Sequence, residues 1–464
     1  MSESGKYNYR IWFEYMWTII FVTFNIIMLS ISLLRAKFDF AYPPILYFGT
    51  WTVASLGYLL MQSYWGTGFS IKTFLIMTVG DLLFWGGCEL TSWSKTLVTI
   101  KGKGKIRFKQ IGIMHLHIFL VFELISLRYI YNHQLRLARA VYGNVSATNI
   151  TELLMYARTA TIHSNYSNSR LFVNLLRIVY VLSLVLFFDY LKNKRGRADK
   201  KLIGRYELFQ CALCPVITVF SASRNILLGI VSGYLVIFFC LRRRQAGALS
   251  FKQEIKIIKK LVLIAALFIL AFAGLNVLLG RTENNSFTSV LSYTMKYVAS
   301  AIPALDYFAN NPFVDKVSHF GETTFNSIYV TLYSVGLTNY KVQYAVHEFT
   351  PVFDHGFSTN IYTIYYPYLK DFGVIGLAMS MINGIIYGLF YRYSKTRSTT
   401  SILVYAVMSF PLVFSFFEEK VWTIFNTNIV EIVIAVILSY MFLQNKTEEA
   451  THAISYRSYY KRNH

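Results

Sequence analysis

The sequence predicts an all-α polytopic membrane protein of about eleven transmembrane helices with one large external loop. Three observations carry this. Of 464 residues, 55% are hydrophobic and only 15% charged, where a soluble domain carries roughly 25%. So little polar surface cannot cover a soluble chain of this size, and lipid must solvate much of it. Apolar stretches near the 20 or so residues that cross a bilayer recur along nearly the whole length. The basic residues between those stretches gather on alternate connections, as the positive-inside rule requires.

The apolar segments run at about 12–34, 44–63, 71–93, 111–131, 171–191, 206–222, 225–241, 259–279, 370–391, 401–417 and 424–443. Lys101, Lys103, Lys105, Arg107 and Lys109 follow the third. Lys192, Lys194, Arg195, Arg197, Lys200 and Lys201 follow the fifth, and Arg242, Arg243 and Arg244 the seventh. Arg392, Lys395 and Arg397 follow the ninth, and Lys461 and Arg462 sit in the tail. All fall on one side of an eleven-segment bundle, which is then the cytoplasm. The formal charge of +22 is explained this way without a nucleic-acid partner. The expected organisation is a first membrane part at 1–279 with about eight helices and an external loop at 280–369. A second membrane part follows at 370–443 with about three helices, then a basic cytoplasmic tail at 444–464. The amino terminus falls outside, with Lys6 and Arg10 against the rule. No cleavable signal peptide is expected, because the first apolar stretch is long and lacks a small-residue cleavage site.

The outer side holds two long loops, 132–170 and 280–369. The second is too long for a connector and too apolar for a disordered linker, so it should fold against the membrane. In it Val290, Leu291, Tyr297, Val298, Ala301 and Ile302 lie near helical spacing, as do Phe325, Ile328, Tyr329, Leu332 and Tyr333. Both sets read as amphipathic helices, either lying on the bilayer and roofing a cavity or packing inside a small external domain. The N-x-S/T triplets at Asn144, Asn149 and Asn165 would accept glycans only in a eukaryotic secretory protein. The four cysteines fall in apolar stretches, and Cys211 and Cys214 form a C-x-x-C. With no second pair and no neighbouring His, these two read as small packed helix residues rather than a metal or redox site. Gly229 and Gly233 form a G-x-x-x-G helix-packing signal. No internal repeat is evident, which counts against a repeat-built transporter.

Chemistry is suggested first by arginines on the wrong side. Arg128 is placed near the outer end of the fourth segment and Arg177 about two turns inside the fifth. Arg224 falls in the outer turn between the sixth and seventh, and Arg281 directly after the eighth. A charge inside the membrane costs about 2.5–3.5 kcal/mol on insertion scales and usually marks function, although snorkelling to headgroups is the plainer alternative. The guanidinium forks onto phosphate oxygens as lysine cannot. Several arginines at this depth therefore suit the diphosphate of a lipid-linked headgroup better than an ion pathway.

The second suggestion is the crowding of His347, Glu348, Asp354, His355, Asn360, Tyr362, Tyr368 and Asp371 into the end of the large loop. A histidine or carboxylate here can take the proton of an attacking hydroxyl, although each alone reads more simply as a surface side chain. There is no D-x-D, no phosphate-binding G-x-x-x-x-G-K-[S/T] and no H-E-x-x-H. The expected chemistry thus uses no metal or cofactor and relies on arginines to stabilise a phosphate leaving group.

The stretch from His347 through Pro351, Asn360, Tyr362, Thr363, Tyr368, Asp371, Phe372, Gly373 and Gly376 resembles the Wzy-type polymerases of O-antigen and capsule repeat units. There a large external loop closes with a similar Asn-x-Tyr-Thr element and an Asp-Phe-Gly step into the next helix. Ser221, Ala222, Ser223 and Arg224 are similar to that family's arginine turn. The hydropathy likeness covers nearly the whole chain, the motifs about a tenth of it. The resemblance implies a GT-C-like enzyme of the bacterial inner membrane with its site facing the periplasm or exterior. It would transfer a growing glycan from undecaprenyl diphosphate to the terminal sugar of a new lipid-linked repeat, with a chain-length regulator as a candidate partner. On that reading Arg128, Arg177, Arg224 and Arg281 bind the diphosphate, and His347, Glu348 and Arg224 are catalytic. Asn360, Tyr362, Tyr368 and Asp371 bind sugar or position the loop. An O-antigen ligase shares the donor and the arginine logic, and Asp81, Glu89, Glu123 and Glu431 within helices keep a flippase in play.

Overall fold

The computed structural model describes residues 3–93, 109–143, 145–146, 149–163, 168–193, 201–221, 225–246, 259, 274, 287–311, 319–340, 342, 347, 349–351, 358–395 and 398–444. The first membrane part comprises α1 (Glu3–Arg35), α2 (Pro43–Trp65), α3 (Ile71–Trp93), α4 (Ile113–Tyr142), α5 (Ile150–His163), α6 (Arg170–Asn193), α7 (Lys201–Val219) and α8 (Asn225–Ala246). The loop region holds α9 (Phe287–Ala299), α10 (Ala301–Asn310), α11 (Asn326–Ser334) and two short paired strands, β1 (Thr350–Pro351) and β2 (Ser358–Thr359). The chain returns through α12 (Tyr365–Phe372) and a 3-10 turn (Gly373–Leu377) into α13 (Ala378–Ser394), then α14 (Thr399–Val413) and α15 (Phe425–Phe442).

The protein is an all-α, multi-spanning membrane protein. Eight stretches among the described residues are long and apolar enough to cross: Tyr15–Arg35, α2, α3, α4, Arg170–Lys192, Asn225–Arg243, the run Tyr365–Ser394, and α15. Their surface is inverted relative to a soluble bundle. Ile19, Ile26 and Ile27 of α1, Met114, Val121 and Ile125 of α4, and Val433, Ile437 and Met441 of α15 point outward. Asn25, Asp81, Glu123 and Asn428 face inward. Only a lipid surround makes that arrangement favourable.

Three of the eleven expected segments are not among the eight. The segment at 206–222 corresponds to α7, which carries Arg205, Glu207 and Gln210 in its first half and Pro215 inside. The segment at 401–417 corresponds to α14, only 15 residues long. Of the segment at 259–279 only residues 259 and 274 are among the described residues.

The helix ends sort into two sets. At one, the basic end, Arg35 pairs with Glu89 at 3.2 Å and Arg243 approaches Asp39 at 3.9 Å. There Arg392 donates to the Thr91 carbonyl at 3.0 Å and Lys395 sits over the Tyr391 ring at 4.0 Å. The other, the loop end, gathers the α2–α3 turn, α10 and the α14–α15 turn, with Asp306 of α10 accepting from Ser70 Oγ at 2.7 Å.

The expected helices of the large loop form, with one difference. The first set is split at Ser300 into α9 and α10, which lean on α2 and α3 instead of lying free. Val298 and Ala299 pack where Gly57 leaves room. The second set is α11, which buries no residue and is held by Asn426 of α15 through the Ser327 carbonyl and the Thr331 hydroxyl.

The most extensive helix contact joins α3 to α13. Glycines make it possible: a Cβ on Gly384 would lie 2.1 Å from the Phe84 carbonyl oxygen, and one on Gly87 2.3 Å from that of Met381. Gly388 would meet the Thr91 hydroxyl at 2.1 Å. Gly384 and Gly388 thus form a G-x-x-x-G whose backbones touch. The pair read from sequence, Gly229 and Gly233, instead makes room for the side chains of Tyr180 and Leu184 of α6.

Gly384→Ala is therefore expected to lower the melting temperature of the purified protein, as overpacking by about 1–3 kcal/mol does. Gly49→Ala, whose Cβ meets nothing within 4 Å, should leave it unchanged. Equal melting temperatures for the two variants would refute the close-contact account.

Candidate functional site

The site is built around the segment by which the chain returns to the bundle. Tyr362, Tyr365, Tyr366 and Tyr368 are all buried. Tyr365 inserts between α2 and α3, where its phenol donates to Asp81 Oδ1 at 2.5 Å beside Tyr47, which donates to the same oxygen at 2.8 Å. Only glycine fits at position 80, since a Cβ there would lie 2.2 Å from the Tyr365 ring. Three residues on, Tyr368 donates to Glu419 Oε1 at 3.1 Å and accepts from Asn383 Nδ2 at 2.8 Å. Gly373 takes φ +61° to end α12, and a Cβ on Gly376 would strike the Tyr368 carbonyl at 2.1 Å. The Asp-Phe-Gly step is thus a bend that brings the chain back over itself.

Glu419 organises the α14–α15 turn. Its carboxylate accepts the backbone N–H groups of Val421 at 2.8 Å, Trp422 at 3.0 Å and Thr423 at 2.8 Å, so it caps the approach to α15. Burial raises its pKa, and these N–H groups and Tyr368 oppose the rise. With Glu419 committed, its two neighbours serve another purpose. Glu418 pairs with Lys420 at 2.9 Å, and Glu418 Oε1 lies 3.8 Å from His347 Nε2.

Lys420 in turn lines a cavity of about 270 Å³ at the loop end, between α6, α8, α14 and α15. Arg177, Tyr180, Ser221, Asn225, Thr427 and Glu431 share its walls with apolar residues. Arg177 Nη2 donates to Thr427 Oγ1 at 2.7 Å and Nη1 to Asn174 Oδ1 at 3.2 Å. Its Nε has no hydrogen-bond partner among the described residues. Two cations with spare donor capacity thus face one small cavity, an arrangement that can attract an anion. A volume just under the usual range for drug-sized ligands admits a headgroup fragment and not a whole oligosaccharide.

His347 is nearly enclosed, against Tyr366 at 4.8 Å between ring centroids, while Tyr366 stacks on Tyr362 at 4.1 Å. Burial pulls its pKa down to about 4; Glu418 acts upward, Lys420 and Lys370 downward. The imidazole is therefore neutral near pH 7 and able to accept a proton, and Glu418 stands where it would stabilise the resulting cation.

The residues singled out in the sequence are placed unevenly. Arg177 reaches the cavity. His347 stands off it, joined through Glu418 and Lys420. Arg128 is not near a helix end: α4 continues to Tyr142, because His133 and Gln134 are buried and carry the helix onward. Arg128 is exposed and does not line the cavity. Tyr362 and Tyr368 are core packing, Tyr362 bonding Thr350, and Asp371 accepts the N–H groups of Thr323 at 3.2 Å and Thr324 at 2.6 Å. Asn360 is half-buried beside them. Arg224, Arg281 and Glu348 lie outside the described residues, Arg224 immediately before the cavity-lining Asn225.

Glu418, Lys420 and Thr427 were not singled out in the sequence. The available signal was the Glu418-Glu419-Lys420 run in a turn between two apolar segments. The acids Asp81 and Glu89 are engaged by Tyr47 and Tyr365, and by Tyr42 and Arg35, respectively. The four cysteines are free and buried, and Cys214 donates to Glu123 at 3.3 Å. Among the described residues, no group of three or more His, Cys, Asp or Glu is arranged to hold a metal. No family model, no curated protein and no solved structure matches the chain.

A histidine whose folded pKa lies below its unfolded value near 6.5 favours the folded state above that value and loses this contribution as pH falls toward about 4. The melting temperature should drop over this interval, and His347→Gln should flatten the drop. An unchanged pH profile in the variant would show that His347 is not held neutral by burial.

Proposed function

We propose that the protein is a membrane glycosyltransferase that polymerises oligosaccharide repeat units carried on undecaprenyl diphosphate. The observation that carries this reading is the loop-end cavity in which Arg177 and Lys420 meet. Two cations at a membrane end, in a cavity of headgroup size, suit a lipid-linked diphosphate. The resemblance to Wzy-type polymerases points to the same substrate. The basic end would be cytoplasmic and the site would face the periplasm or cell exterior. In the same proposal α7, α14 and the 259–279 segment complete an eleven-helix, GT-C-like bundle.

In the reaction, an acceptor hydroxyl on the new repeat attacks the anomeric carbon of the growing glycan. A glycosidic C–O bond forms as the bond to the diphosphate oxygen breaks, and the electron pair leaves with undecaprenyl diphosphate. Arg177 and Lys420 stabilise that developing charge, with Arg224 as a third candidate cation. The hydroxyl proton passes to His347, whose cation Glu418 then neutralises. Tyr362, Tyr368 and Asp371 act by fixing the loop that carries His347.

The test incubates purified protein with its host's lipid-linked repeat unit and resolves products on a gel. A ladder of repeat multiples is expected. Arg177→Ala and Lys420→Ala should each lower the rate by about 10²–10³-fold, the usual effect of losing one charge-stabilising donor. Arg128→Ala should retain activity. Transfer only when lipid A-core is added would mark a ligase, and full activity in Arg177→Ala would refute the site.

A further inference from the structure

Glu431 stands on the wall of the same cavity, one helical turn beyond Thr427 on α15. An acid is out of place where Arg177 and Lys420 gather around an anion, because a carboxylate repels the ligand those cations attract. The charged and titratable groups around it come from several elements. The helix α6 brings Arg177 and Tyr180, and the α14–α15 turn brings Lys420 with its partner Glu418. Behind α6, His133 of α4 lies 4.6 Å from the cavity-lining Phe172. The helices α14 and α11, also packed on α15, carry only the tyrosines Tyr405, Tyr329 and Tyr333.

We propose that Glu431 is a protonated carboxylic acid when the anion is bound and donates its O–H to a phosphate oxygen, so that occupancy of the site is linked to a proton. This rests on the anion-site reading given above. The neutral acid adds a donor to the free Nε of Arg177 and the ammonium of Lys420, whereas the ionised form would oppose them. An anion favours the protonated form, so the pKa of Glu431 is higher in the complex than in the free protein. Affinity is then full below the free-state pKa, falls by up to tenfold per pH unit as pH rises toward the bound-state pKa, and levels off above it. The ionisation of a diphosphate has the opposite effect, since its charge grows as pH rises.

The experiment titrates full-length protein in detergent with farnesyl diphosphate between pH 6.5 and 9. Isothermal calorimetry in buffers of different ionisation enthalpy counts the protons taken up. The wild type should lose at least tenfold in affinity across the range and take up protons where affinity falls, approaching one per ligand. Glu431→Gln should keep the low-pH affinity throughout and take up none. A flat or rising wild-type affinity without proton uptake would overturn the proposal. So would a folded Glu431→Gln protein that keeps the wild-type slope or fails to bind. Absence of wild-type binding at every pH would instead overturn the anion site itself, and this inference with it. The wild-type proton count does not depend on any variant folding.

Discussion

The structure depends most on a carboxylate buried in the bundle. Asp81 of α3 accepts one phenol from α2 and one from the returning chain, and those phenols are 2.8 Å from each other. A buried carboxylate without donors is costly, so the three side chains hold one another in place. Trp51 extends the junction, donating to Ser415 at 3.2 Å, while the Ser415 carbonyl accepts the N–H of Ile364 at 2.9 Å. The return of the long loop to the bundle is thereby fixed against two early helices and the end of α14. Once Tyr365 is set, Tyr368 reaches Glu419 and Tyr366 reaches His347. The Glu419 carboxylate and the His347 imidazole are thus both contacted by the segment that this latch fixes.

Glu418, Glu419 and Lys420 make one device from adjacent residues. The middle residue turns inward to bind the N–H groups of the turn leading to α15, which leaves the outer two to face His347 on one side and the cavity on the other. Arg177 meets that cavity from α6 through Thr427, so the cavity joins α6 to the last membrane helix. One member of each group singled out in the sequence, Arg177 among the arginines and His347 in the loop, is connected through this turn. Glu431 adds an acid to the same wall, and in the proposed linkage it is through this acid that proton concentration acts on occupancy.

Much of the fold was legible because lipid imposes a strong rule on sequence. Long apolar runs and alternating basic connections mark the spans directly. The rule fails where a helix outlasts its apolar run. The fourth segment was expected to end near residue 131, but buried His133 and Gln134 continue it, and Arg128 lies mid-helix as a result. Arg177 was legible because a charge inside an apolar run stands out. Lys420 was not, because in a turn between two such runs it resembles any connector. Its meaning comes from Glu419, whose inward turn no local pattern announces. Likewise Gly384 and Gly388 are visible as a spacing, but only the opposing Phe84 and Met381 carbonyls explain it. The Asp-Phe-Gly step, legible as a motif, bends and ties the chain here through Gly373 and Asp371.

The most direct measurement is a cryo-electron microscopy structure of the protein with a polyprenyl diphosphate bound. The account predicts phosphate density between Arg177 and Lys420, within hydrogen-bond reach of both, with the prenyl chain leaving toward the lipid. Phosphates seated at the basic end, or at the loop end but away from Arg177 and Lys420, would contradict it.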